Sequence, residues 1–160
     1  MFWTEFLGVI LATILGGIIG LEREFHGKAA GLRTNLLICL GAAAFTIISK
    51  QMTAGTNDSM TRIAAQIVTG VGFLGAGAII QDTGGIHGLT TAATIWLVAS
   101  IGMACGAGLY RLAILVTIIA IFVLIGLGRL AIPFDRYAEK RQKRQNPGDD
   151  ATNREDSSSE

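Results

Sequence analysis

Residues 30–50 read AGLRTNLLICLGAAAFTIISK: a polar turn followed by an apolar run with no charge from Thr34 to Ser49. Residues 87–98, HGLTTAATIWLV, repeat the Gly-Leu-x-Thr opening and again run apolar. The pattern continues outward from both stretches. From Thr34 to Gly128 the only charged residues are Lys50, Asp58, Arg62, Asp82 and Arg111. Charged residues make up 16% of the chain, against about 25% for an ordinary soluble domain. Apolar residues make up 51% and mean hydropathy is +0.52. The apolar runs approach the roughly 20 residues that cross a bilayer as helix. Barrel-type alternation is absent, and helices satisfy their own backbone hydrogen bonds in lipid. The sequence therefore predicts an all-α membrane protein embedded in the lipid bilayer. Its five transmembrane helices are placed at about Phe2–Leu21, Thr34–Ser49, Arg62–Ile80, Thr90–Leu109 and Leu112–Gly128.

Positive residues orient these helices. The first loop carries Arg23, Lys28 and Arg33, the third none and the C-terminal tail seven, which puts ten on one side. The other side carries Lys50, Arg62 and Arg111. Positive residues favour the cytoplasm, so the N-terminus is expected outside and the C-terminus inside, with Trp3 as an outer interfacial anchor. Residues 1–128 form the expected membrane domain. Residues 129–160 form the expected tail: a basic juxtamembrane segment, DRYAEKRQKR, then a polar, acidic stretch whose composition predicts disorder. No signal-peptide cleavage pattern precedes the first helix.

At an offset of 57 residues, segments 16–45 and 73–102 share 8 of 30 positions, among them Gly31/Gly88, Leu32/Leu89 and Thr34/Thr91. In each segment a helix runs inward, turns, and returns through Gly-Leu-x-Thr. The expectation is two parallel helical-hairpin pseudo-repeats plus a fifth helix, with Gly ending each loop and Thr or its neighbour capping the returning helix. Gly16/Gly20, Gly102/Gly106 and the run Gly70, Gly72, Gly75 and Gly77 allow close helix contacts, within one chain or in a homo-oligomer, with a dimer as the first expectation.

Polar groups at membrane depth are costly and point to function. They gather on the side predicted to be cytoplasmic. Glu22, Glu24 and Asp82 close the first and third helices, where helix C-termini carry partial negative charge. One reading is a cation locus for an oxygen-preferring ion such as Mg²⁺; the other is an interfacial ion-pair cluster that holds the loops together. Arg23, Lys28, Arg33, Asn35, Thr90, Thr91 and Thr94 form the supporting polar cluster. His26 and His87 lie on the same side. Arg62 and Gln66 form an intramembrane polar pair on the third helix, with Asp58 as an alternative partner of Arg62. Cys39 and Cys105 lack metal-ligand spacing and read as small buried side chains. No phosphate-binding loop, nucleophile elbow or zinc signature occurs, and GVGFLGAG lies inside a predicted transmembrane helix. A catalytic centre is not expected.

GGIIGLEREFHGKAAGLRTNLLICLGAAAF, RIAAQIVTGVGFLGAGAII and GLTTAATIWLVASIGMACGAGLY together closely resemble the MgtC/SapB family of bacterial inner-membrane proteins, over roughly Leu7 to Gly128. The resemblance implies a role in Mg²⁺ homeostasis and in low-Mg²⁺ and acid stress, with virulence in some members. It also implies two modes of action: regulation of other membrane machines, ATP synthase among them, or direct Mg²⁺ transport. Longer members carry a cytoplasmic C-terminal domain that the short tail here does not match. The polar motif residues Glu22, Arg23, Glu24, Lys28, Arg33, Asn35, Arg62, Gln66, Asp82, Thr90, Thr91 and Thr94 carry over. The expected protein is non-enzymatic and lies in the bacterial inner membrane; direct cation transport is the alternative function. No carboxylate lies at the predicted midplane, where secondary transporters usually place coupling sites.

Overall fold

The computed structural model describes residues 2–52, 57–82 and 85–127. Its helices are α1 (Phe2–Phe25), α2 (Leu32–Met52), α3 (Asn57–Gly77), α4 (Leu89–Ala107) and α5 (Tyr110–Phe122). Strands β1 (Ile80–Asp82) and β2 (Gly85–His87) lie between α3 and α4, and a π-helical turn, Val123–Leu127, follows α5. The chain divides into two compact units, Met1–Ile121 and Phe122–Glu160. The described part of the second is Phe122 and the π-helical turn. The predicted tail, residues 129–160, lies outside the described residues.

The all-α membrane architecture follows from which faces are covered. Residues Trp3–Phe25 of α1, and α2 and α4, are long and apolar enough to cross a membrane; the apolar helix at Tyr110–Gly126 is shorter. At 24 residues, α1 is about 36 Å long, more than the ~30 Å hydrocarbon core. Its last turn therefore reaches the interface. Phe6, Leu7, Ile10, Ile14, Ile18 and Leu21 are exposed along α1, while Ala12, Leu15 and Ile19 are buried. Small residues and polar groups fill much of the interior, and bulky apolar side chains cover the outside, as lipid contact requires.

Helix α2 packs against both α1 and α4, which also touch each other: a Cβ at Gly8 would stand 2.7 Å from the Cys105 carbonyl oxygen. A Cβ at Gly16 would stand 2.5 Å from Cys39 Cβ, and one at Gly20 would stand 2.8 Å from Leu32 Cα. From α4, a Cβ at Gly102 would run into the Cys39 carbonyl, and one at Gly106 would stand 2.5 Å from the Ala43 carbonyl oxygen. The glycines of α1 and α4 thus let both helices touch α2 at backbone distance. Cys39 and Cys105 are buried and free, as read from the sequence. An apolar cluster of Ala30, Ala42, Ile67, Val71, Ile95 and Ala99 joins α3 to α2 and α4. Tyr110 donates from its hydroxyl to the Thr4 carbonyl and ties the start of α5 to the start of α1.

Three local expectations change. The segment after α3, read as a loop, contains an antiparallel hairpin with Ile80 opposite His87 and Asp82 opposite Gly85. Three-residue strands are too short to show a period-2 pattern. Helix α1 continues through Phe25, past its expected end at Leu21, so Arg23, counted with the first loop, belongs to its last turn. Finally, Thr91 does not cap α4. Gly88 occupies the N-cap with φ 86° and no side-chain cap bond. A side chain at Gly88 would also strike the Ala78 carbonyl, so only glycine fits there. Thr34 is exposed and Thr91 is buried, so the two Gly-Leu-x-Thr segments share a position in the chain but not an environment.

Candidate functional site

The predicted polar residues separate into a buried group and an exposed group. The buried group sits where the C-terminal end of α1 meets the N-terminal ends of α2 and α4. Arg23 is 3% exposed, and its Nη2 donates to Thr91 Oγ1 at 3.0 Å. The neighbouring Glu22 carboxylate supplies countercharge. Glu22 is itself buried; its Oε1 lies 3.1 Å from His26 Nδ1, one turn further on. Asn35 is fully buried, and its Nδ2 donates to the carbonyls of Ala30 (2.7 Å) and Gly31 (2.8 Å). This amide holds the turn between α1 and α2. Thr94 is buried and donates back to the Thr90 carbonyl at 2.7 Å.

Glu24 has a different task. Its Oε2 accepts from the Leu32 backbone N–H at 2.9 Å, so a side chain from the preceding helix caps α2. A Cβ at Gly31 would collide with that carboxylate. The two glycines of the Gly-Leu-x-Thr segments are therefore needed for different reasons: Gly31 makes room for the Glu24 cap, and Gly88 supplies a left-handed backbone. The sequence held a signal for the cap, an acidic residue eight positions before Leu32 across a short turn. A cap donated from outside the helix has no fixed spacing, so it could not be read in advance.

Residues two apart on a helix point about 200° from each other. Glu22 accordingly faces the interior, and Glu24 is exposed. Asp82, the third member of the expected cation locus, ends β1, but its side chain falls outside the described residues. Among the described residues no group of three or more His, Cys, Asp or Glu is placed to hold a metal ion. Lys28, Arg33 and Thr90 are exposed near the buried group's end of the bundle, and His87 lies on the exposed face of β2. Arg62 and Gln66 are exposed on α3. Asp58, the alternative partner of Arg62, has its side chain outside the described residues.

Three buried atoms, Glu22 Oε2, Arg23 Nε and Asn35 Oδ1, have no hydrogen-bond partner among the described residues. Buried groups of this kind are met by ordered water or by an incoming ligand. Sequence reasoning grouped all three residues at one end of the membrane domain. It did not anticipate that the cation, Arg23, would be the most enclosed charge of the set.

A sequence model of the MgtC family matches residues 9–132. Protein MgtC of Brucella abortus (strain 2308) is 49% identical over 112 residues, covering 70% of this chain and 46% of that protein. Protein MgtC of Salmonella paratyphi A is 46% identical over 140 residues, covering 84% of this chain and 59% of its own. YhiD of Escherichia coli (strain K12), whose name describes a candidate magnesium transporter, is 49% identical over 122 residues, 72% of this chain and 57% of its own. The chain spans about half the length of the curated relatives it matches. No solved structure matches it. A family match across most of the membrane domain, together with identities near one half, establishes that the chain belongs to the MgtC family.

Proposed function

We propose that this chain is a non-enzymatic bacterial inner-membrane protein of Mg²⁺ homeostasis and low-Mg²⁺ or acid stress, acting through contacts with other membrane proteins. The observation that carries this reading is Arg23. A guanidinium 3% exposed and bonded to Thr91 puts a fixed positive charge where α1, α2 and α4 meet. A fixed positive charge in the bundle interior opposes cation passage. The described core beyond it is built from Ala12, Leu15, Ile19, Ala43, Val98 and Ile101, with no carboxylate among them. The names of the relatives support the link to magnesium, and family resemblance makes ATP synthase a candidate partner.

Direct Mg²⁺ transport is the second reading. It draws on Glu22 Oε2 and Asn35 Oδ1, buried oxygens of the type Mg²⁺ takes. Purified chain in liposomes with an internal Mg²⁺ indicator separates the two. The regulatory reading expects flux equal to that of protein-free liposomes, while the same chain restores growth of a deletion strain in low magnesium. Saturable flux that Glu22→Gln abolishes would replace it with transport. Mg²⁺ bound only to the native state must also raise its stability with occupancy. The regulatory reading expects no Mg²⁺-specific change in Tm beyond an ionic-strength control.

The proposed orientation, N-terminus outside and C-terminus cytoplasmic, has its own test. Ala29 and Met52 are exposed beyond opposite ends of α2. In intact cells Met52→Cys should react with an impermeant thiol reagent and Ala29→Cys should not; buried Cys39 and Cys105 give little background. The reverse pattern would move the Arg23 cluster to the outer face.

A further inference from the structure

A groove of about 450 Å³ runs between α2 and α3. Leu37, Gly41 and Phe45 line it from α2, and Gln66, Gly70 and Leu74 from α3, each set at the four-residue spacing of one helix face. Only residues 53–56 join the two helices, so they run in opposite directions. Leu37 and Leu74 therefore share one end of the groove, and Phe45 and Gln66 the other. The glycines open its middle: a Cβ at Gly41 or Gly70 would meet nothing within 4 Å. Arg62 extends the α3 stripe one turn beyond Gln66, and it is exposed. Among the described residues Arg62 has no acidic partner and Gln66 has no hydrogen-bond partner.

Along this stripe the chemistry changes in a fixed order: apolar at Leu74 and Gly70, an amide at Gln66, a cation at Arg62. A phospholipid presents the same order, from acyl chain through ester carbonyl to phosphate. We propose that the groove binds one anionic phospholipid, with its phosphate at Arg62, an ester carbonyl at the Gln66 amide, and an acyl chain running toward Leu37 and Leu74. The dimensions agree. From Gln66 to Leu74 is about 12 Å at 1.5 Å per residue, most of the ~15 Å hydrocarbon depth of one leaflet. A guanidinium meets phosphate oxygens through paired, charge-assisted donors. A zwitterionic headgroup would bring an ammonium close to that guanidinium, so the site favours a headgroup of net negative charge. An uncharged occupant would cover the apolar lining and leave Arg62 without an anion. The lipid site does not rest on the regulatory reading: lipid titration decides one, and flux and growth decide the other.

The test uses the full 160-residue chain in mixed micelles. A lipid bound only by the native state raises Tm with occupancy. Dioleoyl phosphatidylglycerol should raise Tm saturably, and dioleoyl phosphatidylcholine should not. Arg62→Gln should raise the half-saturating lipid fraction roughly fivefold, the effect expected of one arginine against an anionic headgroup. Gly70→Leu fills the groove and should lose the rise. Gly72→Leu, on the same helix but outside the lining, should keep it. An added Cβ meets nothing within 4 Å at either glycine, so both variants should fold. Independently, phosphatidylglycerol with a photoreactive acyl chain should label α2 and α3 of the wild type and spare them in Gly70→Leu. Several results would each overturn the site: an equal rise with phosphatidylcholine, an Arg62→Gln titration like wild type, or labelling unchanged in Gly70→Leu. A loss in Arg33→Gln as large as in Arg62→Gln would do the same, because Arg33 lies beyond the opposite end of the groove. So would a Gly70→Cys disulfide dimer that phosphatidylglycerol does not disperse, which would give the groove to a second copy.

Discussion

Arg23→Ala is expected to cost about 3–5 kcal/mol of stability, measured by reversible unfolding of the purified chain in mixed micelles. The estimate follows from what the substitution leaves behind. Glu22 is buried beside Arg23, and one of its carboxylate oxygens already lacks a partner. Removing the guanidinium strands that charge and frees the Thr91 hydroxyl as well. Thr91→Val removes only a neutral hydrogen-bond partner from a charged donor and should cost about 1.5–3 kcal/mol. Because the two residues share one bond, their effects should not add: the double substitution should cost clearly less than the sum of the singles. Arg23→Lys should recover only part of the loss, since a single ammonium cannot present the planar fork of donors. If Arg23→Ala cost less than 1 kcal/mol, the guanidinium would be well hydrated in the membrane protein, and its use as a fixed barrier charge in the proposed function would fail with it.

The bundle was legible in the sequence because lipid demands long uncharged runs, and the five runs between charged breaks correspond to the five helices. The glycine spacings were legible for the same reason: Gly16/Gly20 and Gly102/Gly106 sit one turn apart, so each pair faces one neighbour. What the spacing could not tell was which neighbour. Both pairs turn out to face α2. The polar cluster was legible as a set on one side but not as contacts. Glu22 and Glu24 look equivalent in LEREF, residues 21–25, yet the helix continues through them and sends one inward beside Arg23 and the other outward to the Leu32 N–H. Arg23 counted as a loop charge when orientation was read from the sequence; one extra turn of α1 makes it a core residue. The positive-charge asymmetry read from the sequence survives without it, because the count still holds Lys28, Arg33 and the seven positive residues of the tail.

Gly102→Leu should cost about 3 kcal/mol or more, and Gly102→Leu combined with Gly106→Leu should leave little folded protein in membranes. The obstacle is backbone. The first atom added at Gly102 runs into the Cys39 carbonyl, and at Gly106 it meets the Ala43 carbonyl oxygen at 2.5 Å. Neither oxygen can rotate away as a side chain would, so α4 or α2 must shift as a rigid element. Adjustment of α2 is limited, because Gly16 and Gly20 of α1 already hold it at contact distance. Overpacking of this kind typically costs 1–3 kcal/mol even where a core can adjust. Gly41→Ala and Gly72→Ala are the controls. An added Cβ meets nothing within 4 Å at either site, so both should stay within about 1 kcal/mol of wild type. Unfolding curves for the four single substitutions Gly102→Ala, Gly106→Ala, Gly41→Ala and Gly72→Ala then decide the issue with the smallest possible side chain. The first two should fall well below wild type and the last two should not. Equal stability across all four would mean that α4 does not lie on α2 at backbone distance, and the close α2–α4 contact would have to be given up.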